Sequence, residues 1–152
     1  GYPSMSDEIR VLDDQQIRHP LETLKSVVTV KEVMRAIEDV KRIFVSPAIK
    51  KYIVELTTRT RQSADVYLGA SPRGSLSLAR AGRARAALLG RDHVLPDDIQ
   101  ALAAAVLAHR IIVSPAARLR DLSSERIVQE VIHATPVPGG ELLSEPARKK
   151  FK

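Results

Sequence analysis

The segment Gly69-Ala-Ser-Pro-Arg-Gly-Ser-Leu76 holds the residue types best suited to chemistry on phosphate. Gly69 and Gly74 stand at the spacing of a phosphate-cradling loop. Ser75-Leu76, however, replace the Lys-Ser/Thr pair that would reach the terminal phosphates. No acidic strand end of the Walker-B kind occurs elsewhere, so a complete nucleotide-hydrolysis site is not expected and this chain by itself should be inactive. The same residues also read as a helix start: Gly69 supports a tight turn, Ser71 caps, and Pro72 fixes the first turn. Arg73 then projects near the positive end of a helix, where the macrodipole favours an anion. Two readings stay open for it. It is a surface or ion-paired arginine, or it forms an anion site with the helix N terminus.

Arg80, Arg83 and Arg85 continue along that helix, with Arg91 just past its end. At 3.6 residues per turn Arg73 and Arg80 fall nearly in line, Arg83 adjoins them, and Arg85 and Arg91 point elsewhere. Such a stripe could meet DNA phosphates. The helix nevertheless lacks aromatics for base stacking and Asn or Gln for reading adenine, which favours a solvated or subunit-facing stripe. Thr60-Arg61 closes the preceding helix, where a cation needs no catalytic explanation. Packing and C-terminal electrostatics account for His109-Arg110. The scattered His residues show no general-base signature or ligand cluster, and the absence of Cys excludes disulfides and thiolate metal sites.

The elements that must carry these residues are helical. Ser4-x-x-Asp7 resembles a capping box ahead of a short helix through Ile9 and Leu12, which stops before His19-Pro20. Thr29-x-x-Glu32 is a full capping box, and Val30, Val33, Met34, Ile37, Val40 and Phe44 follow at helical spacing. Ser46-Pro47 restarts the chain, with Ile49, Tyr52, Ile53 and Leu56 marking a helix to about Arg61. Residues 62–68 break both periods and read as a loop. A long helix from Ser71-Pro72 runs to about Leu89 with Gly90 as its stop, and Pro96-Asp97-Asp98 opens another. A last helix over about Ser124 to Ala134 carries Ile127, Val128, Val131 and Ile132. Five or six helices with short connections predict an all-α domain, with at most a small strand pair around His93-Val94 and Ile112-Val113. The Pro-, Gly- and charge-rich tail PVPGGELLSEPARKKFK is expected to be mobile.

Composition fits this picture. The 152 residues are one domain's worth, with no Trp and a core left mainly to Ala, Leu, Val and Ile. No run is long and apolar enough to span a membrane and no secretory signal opens the chain, so a cytoplasmic protein is expected. The net charge of +6 and pI of 9.9 suit an acidic partner or a solvated basic surface. The start at Gly1-Tyr2-Pro3-Ser4, without an initiating Met, suggests that something precedes it.

The order of these motifs resembles the C-terminal helical lid of MoxR-type AAA+ ATPases, related to the magnesium-chelatase branch. The motifs are GYPS, YIVEL, the Thr60-Arg61 pair, LGASPRGSLSL, LLGRDHVLPDDI and VLAHRI, ending near Pro136-Val137-Pro138. The resemblance covers about residues 1–138. It implies a five- or six-helix lid bundle, with residues 1–28 as connector from an upstream ATPase core, 29–135 as the lid and 136–152 as tail. By motif match it makes Arg73 the second sensor, the arginine that acts on ATP. Gly69, Ala70, Ser71 and Pro72, with Tyr2 and Pro3 of the GYP segment, then become nucleotide-contacting positions. Walker A, Walker B, first sensor and arginine finger would all lie upstream of Gly1, and ATP and Mg2+ would belong to the full-length parent. The implied partners are that core, neighbouring subunits of a homo-oligomeric ring (a hexamer) and a von Willebrand factor A domain protein. The implied role is chaperone-like, in maturation of metalloenzymes or complexes. A free-standing basic helical domain that binds nucleic acid is the alternative, and a purely structural protein–protein module a third reading. Gly74 and mid-helix Gly82, where the family commonly has Ala at the first, and Leu95, where a capping Thr or Ser is usual, are expected to weaken their helices.

Overall fold

Hydroxyl and proline residues open most of the helices, as the spacing of caps predicts. The computed structural model describes residues 1–16 and 19–138. Among them lie helices α1 (Met5–Gln15), α2 (Val30–Arg42), α3 (Pro47–Gln62), α4 (Pro72–Leu88), α5 (Pro96–Leu107), α6 (Pro115–Arg118) and α7 (Ser124–Ala134). Two 3₁₀ turns, Pro20–Thr23 and Ala108–Arg110, and strands β1 (Val66–Leu68) and β2 (Ile112–Val113) complete the order. This is an all-α lid bundle with one short strand pair. The four-residue α6, capped by Ser114, is the helix that periodicity missed. The mobile tail expected from the sequence falls, from residue 139 onward, outside the described residues.

The chain divides into two compact units, Gly1–Ala36 and a second beginning at Ile37. In the first, the Ser4 hydroxyl accepts from the Asp7 amide at 3.3 Å while Asp7 accepts from the Ser4 amide at 3.4 Å, which closes the capping box of α1. At the head of α2 the Glu32 carboxylate accepts from the Thr29 amide at 2.7 Å and from its hydroxyl at 2.8 Å. Those bonds hold the Glu32 carboxyl below its ordinary pKa. Neither α1 nor α2 buries a side chain, and Val30, Val33, Met34 and Ile37 of α2 stay exposed.

The second unit holds the core. α3 starts on the Ser46 hydroxyl, which accepts from the Ile49 amide at 3.2 Å, and buries Ile49, Tyr52, Ile53 and Leu56. α5 packs against α3, α4 and α7, with Ile99, Ala103 and Leu107 inside. α7 adds Ile127, Val128, Val131 and Ile132, the positions its sequence period marked. The buried Tyr52 hydroxyl accepts from Gln100 at 3.1 Å, so the ring enters the core without orphaning its polar tip.

α4 turns toward α5 along Gly74, Leu78, Gly82 and Ala86. A β-carbon at Gly82 would stand 2.7 Å from Ile99 Cδ1, so a side chain there would have to displace the tip of Ile99 where the two helices meet. The cost of about 1 kcal/mol for a mid-helix glycine is thus offset by packing. The expectation that Gly74 and Gly82 merely weaken α4 misses this. The helix ends in a Schellman motif: Gly90 takes φ +70°, its amide bonds Ala87 O at 2.9 Å, and the Arg91 amide bonds Ala86 O at 2.9 Å.

Arg91 then makes the connection to α5. Its guanidinium grips the buried Asp98 carboxylate at 2.8 and 2.6 Å, and Arg85 Nε lies 3.4 Å from the same group. Asp98 also accepts from the Leu95 amide at 2.8 Å, the half of a capping box that survives where Leu95 has no hydroxyl. Arg85 and Arg91, expected to point away from the stripe of Arg73, Arg80 and Arg83, converge on one carboxylate.

The strand pair also differs from expectation. Ile112-Val113 pairs antiparallel with Val66–Leu68, inside the stretch that reads as a loop, with an irregularity between Val66 and Leu68. Only three residues long, β1 is too short to show alternation. His93 instead makes an isolated parallel bridge with Phe44.

Asp98→Asn is expected to destabilise the chain by about 3 kcal/mol, at the low end of the range for breaking a buried pair because Arg91 still reaches solvent. Hydrogen bonding from Arg91 holds the folded Asp98 pKa below 3.8. The contribution is therefore complete above about pH 5 and is lost as pH falls through the lowered folded value. Urea unfolding across pH should show a constant gap between the two proteins near neutrality that narrows in acid. A gap that does not narrow at all as pH falls below the ordinary carboxylate range would rule the ion pair out as its source.

Candidate functional site

The segment singled out by its chemistry lies against the last turns of α3. Two threonines there, Thr57 and Thr60, are fully buried. Thr57 Oγ1 donates to Val54 O at 2.9 Å and lies 2.8 Å from the Ser75 hydroxyl in the first turn of α4. Thr60 Oγ1 donates to Thr57 O at 2.7 Å and accepts from the Ala70 amide at 3.0 Å. Arg61 Nε donates to Ala70 O at 2.7 Å. Both polar groups of Ala70 are therefore held by consecutive residues of one helical turn. The sequence reading left out Thr57 and gave neither Thr60 nor Ser75 an anchoring role. The available signal was that Thr57 and Thr60 occupy the apolar face of α3, where a hydroxyl needs a partner.

Gly69 brings the chain to this contact. A β-carbon there would lie 2.6 Å from both Arg61 Cα and Arg61 Cγ, so a tight turn is the lesser part of its role. Ser71 has the extended backbone of an N-cap (φ −73°, ψ 169°), but its hydroxyl makes no capping bond, contrary to the sequence expectation. Pro72 opens α4, and no acidic residue occupies its first turn.

Arg73 follows, exposed and without a hydrogen bond or ion pair among the described residues. An exposed guanidinium at the head of α4 fits the surface reading and the anion-site reading alike. Arg80 is likewise exposed, while Arg83 is half-buried with its Nε closed off from solvent and unpartnered. Arg110 passes nearby, its Cδ 3.9 Å from where a Gly74 β-carbon would stand. Gly69, Ala70, Ser71, Pro72 and Arg73 thus form one continuous surface segment with a buried anchor at Ala70. Tyr2 and Pro3 belong to the first compact unit, and Tyr2 is fully exposed. Among the described residues no three His, Asp or Glu side chains gather to hold a metal ion.

An exposed arginine can bind an oxyanion by paired, charge-assisted hydrogen bonds and does no proton chemistry near neutrality. Gly69→Ala tests the anchor. The added methyl meets backbone, so α3 and the loop must separate, with an expected loss of about 1–3 kcal/mol in unfolding free energy. Stability equal to wild type would show that the close approach is dispensable.

The chain resembles several known proteins. The AAA lid domain family matches residues 58–131, which run from the end of α3 through most of α7. An uncharacterized protein of Bacillus subtilis, YeaC, is 43% identical over 91% of this chain and 43% of its own length. Chaperone MoxR1 of Mycobacterium tuberculosis is 29% identical over 91% of this chain and 38% of its own. Protein MoxR of Paracoccus denitrificans is 40% identical over 61% of this chain and 32% of its own. A solved structure of an assumed ATPase from Cytophaga hutchinsonii superposes with a TM-score of 0.77 at 25% identity, over 90% of this chain and 44% of that one. The chain spans less than half the length of each of these relatives. Residues 58–131 of the chain are thus an AAA lid domain, similar to the corresponding part of the MoxR proteins.

Proposed function

We propose that this chain is the nucleotide-sensing and ring-assembly lid of a MoxR-type AAA+ ATPase, and that Arg73 is the residue that meets phosphate. One observation carries the reading: Arg73 is exposed and, among the described residues, unpaired, while the loop before it is anchored in the core. Arg91 by contrast is paired with Asp98, and Arg61 is bound to the Ala70 carbonyl. Arg73 is instead left available to a ligand from outside the chain.

The residues present suit a nucleotide phosphate. The Arg73 guanidinium and the uncommitted Ser71 hydroxyl would bind it, at a helix end whose dipole favours an anion. ATP supplies the phosphoanhydride bond whose cleavage drives the cycle. The residues that cleave it and hold Mg2+ belong, in this reading, to the part of the longer relatives that the chain does not span. Movement of the lid as nucleotide is bound and released would transmit that cycle to neighbouring subunits of a ring. A chaperone-like role for the assembly follows the name of the M. tuberculosis relative.

The test is the steady-state ATPase rate of the full-length protein with and without Arg73→Ala. Loss of one charge-assisted contact made mainly in the transition state, about 1.5–3 kcal/mol, lowers kcat roughly ten- to a hundred-fold. An unchanged rate in a folded variant would remove Arg73 from the sensor role. The free arginines of α4 would then point back to the basic-surface reading, and salt-dependent DNA binding would be the next measurement.

A further inference from the structure

We infer that Thr60 and Arg61 are positioning residues for Arg73: by holding the amide and carbonyl of Ala70 they set where the Arg73 guanidinium stands. The inference rests on the reading of Arg73 as the phosphate-contacting residue and adds what aims it.

The path from α3 to Arg73 has little freedom. Ala70 is buried, its N–H bound to Thr60 Oγ1 at 3.0 Å and its C=O to Arg61 Nε at 2.7 Å. Gly69 rests against the Arg61 backbone with no room for a side chain. Ser71 is extended, Pro72 has its φ fixed by its ring, and the Gly74 amide closes onto Ser71 O at 2.7 Å. Few torsions remain between the anchored peptide and the base of the Arg73 side chain. The Thr57–Ser75 hydroxyl contact at 2.8 Å ties the first turn of α4 to the same stretch of α3.

The chemistry of the two residues matches this task better than a general stabilising one. Thr60 spends its hydroxyl on one acceptor within α3 and one donor in the loop, so a valine of the same shape keeps the packing and leaves the Ala70 amide without an acceptor. Arg61 directs Nε to a backbone carbonyl although its side chain is exposed, and no acidic partner for it appears among the described residues. Both bonds act on one peptide, three residues before Arg73. A misplacement of about 1 Å at a reacting centre is enough to cost as much as a hundred-fold in rate.

The test uses the full-length ATPase, with kcat and KM for ATP measured for Thr60→Val, Thr60→Ser, Arg61→Met and Arg73→Ala, alone and in pairs. Thr60→Val should lower kcat by about threefold or more, never beyond the loss in Arg73→Ala, while Thr60→Ser, which keeps the hydroxyl, stays within about twofold of wild type. Added to Arg73→Ala, neither Thr60→Val nor Arg61→Met should lower kcat further, because each acts through the missing guanidinium. Full additivity, or a serine variant as impaired as the valine, would show a structural role and overturn the inference. Wild-type rates in Thr60→Val beside an impaired Arg73→Ala would overturn it while leaving the sensor standing. A wild-type rate in Arg73→Ala would remove both. If Thr60→Val fails to fold, Arg61→Met, which keeps an apolar stem and removes the guanidinium that donates to Ala70, carries the same comparison.

Discussion

A carboxylate taken out of water must be surrounded by donors, and in this chain that requirement organises the bundle. Asp98 receives two bonds from Arg91, one from the Leu95 amide, and the nearby charge of Arg85. Arg91 is also the residue whose amide ends α4 in its Schellman turn. One arginine therefore links the end of one helix to the beginning of the next, through backbone on one side and side chain on the other. Since α5 packs on α3, α4 and α7, fixing its start relative to α4 fixes the frame for the rest of the second unit.

The presentation of Arg73 is a consequence of that frame. α4 is held at its C-terminal end by the Asp98 centre and along its length by the glycine-lined contact with α5. Its N-terminal end is held by the threonines of α3 through Ala70 and Ser75. With both ends fixed, the exposed face of α4 is free of structural duty, and Arg73 and Arg80 lie there. Pairing inside and availability outside are thus distributed along one helix: Arg85 and its neighbour Arg91 are consumed by the fold, Arg73 is not.

What the sequence revealed depended on how local the cause was. The boxes at Ser4 and Thr29, the Ser46-Pro47 start and the Gly90 stop are decided within a few residues, and each stands where its chemistry places it. The apolar face of α7 was legible because four side chains repeat at a helical period. The convergence of Arg85 and Arg91 on Asp98 was not, because a wheel projection shows where residues leave a helix and not what another helix brings to meet them. β1 escaped because strand pairing is a property of two segments, and Val66–Leu68 alone has too few residues to show a period. Arg73 stood out only as a residue in a motif; charge and spacing by themselves left it between a surface role and an anion site. Thr60 stood out only as part of a motif pair and Thr57 not at all, because their anchoring role depends on partners that another segment brings.

The contact between Gly82 and Ile99 constrains how this sequence can change over generations. A methyl at position 82 collides with one atom, the Cδ1 of Ile99, while its other neighbour, Val94 Cγ1, sits at an ordinary 3.4 Å. Valine lacks that δ-carbon. Exchange of glycine for alanine at position 82 therefore meets the movable tip of one side chain, and a valine at position 99 would take away the atom that it meets.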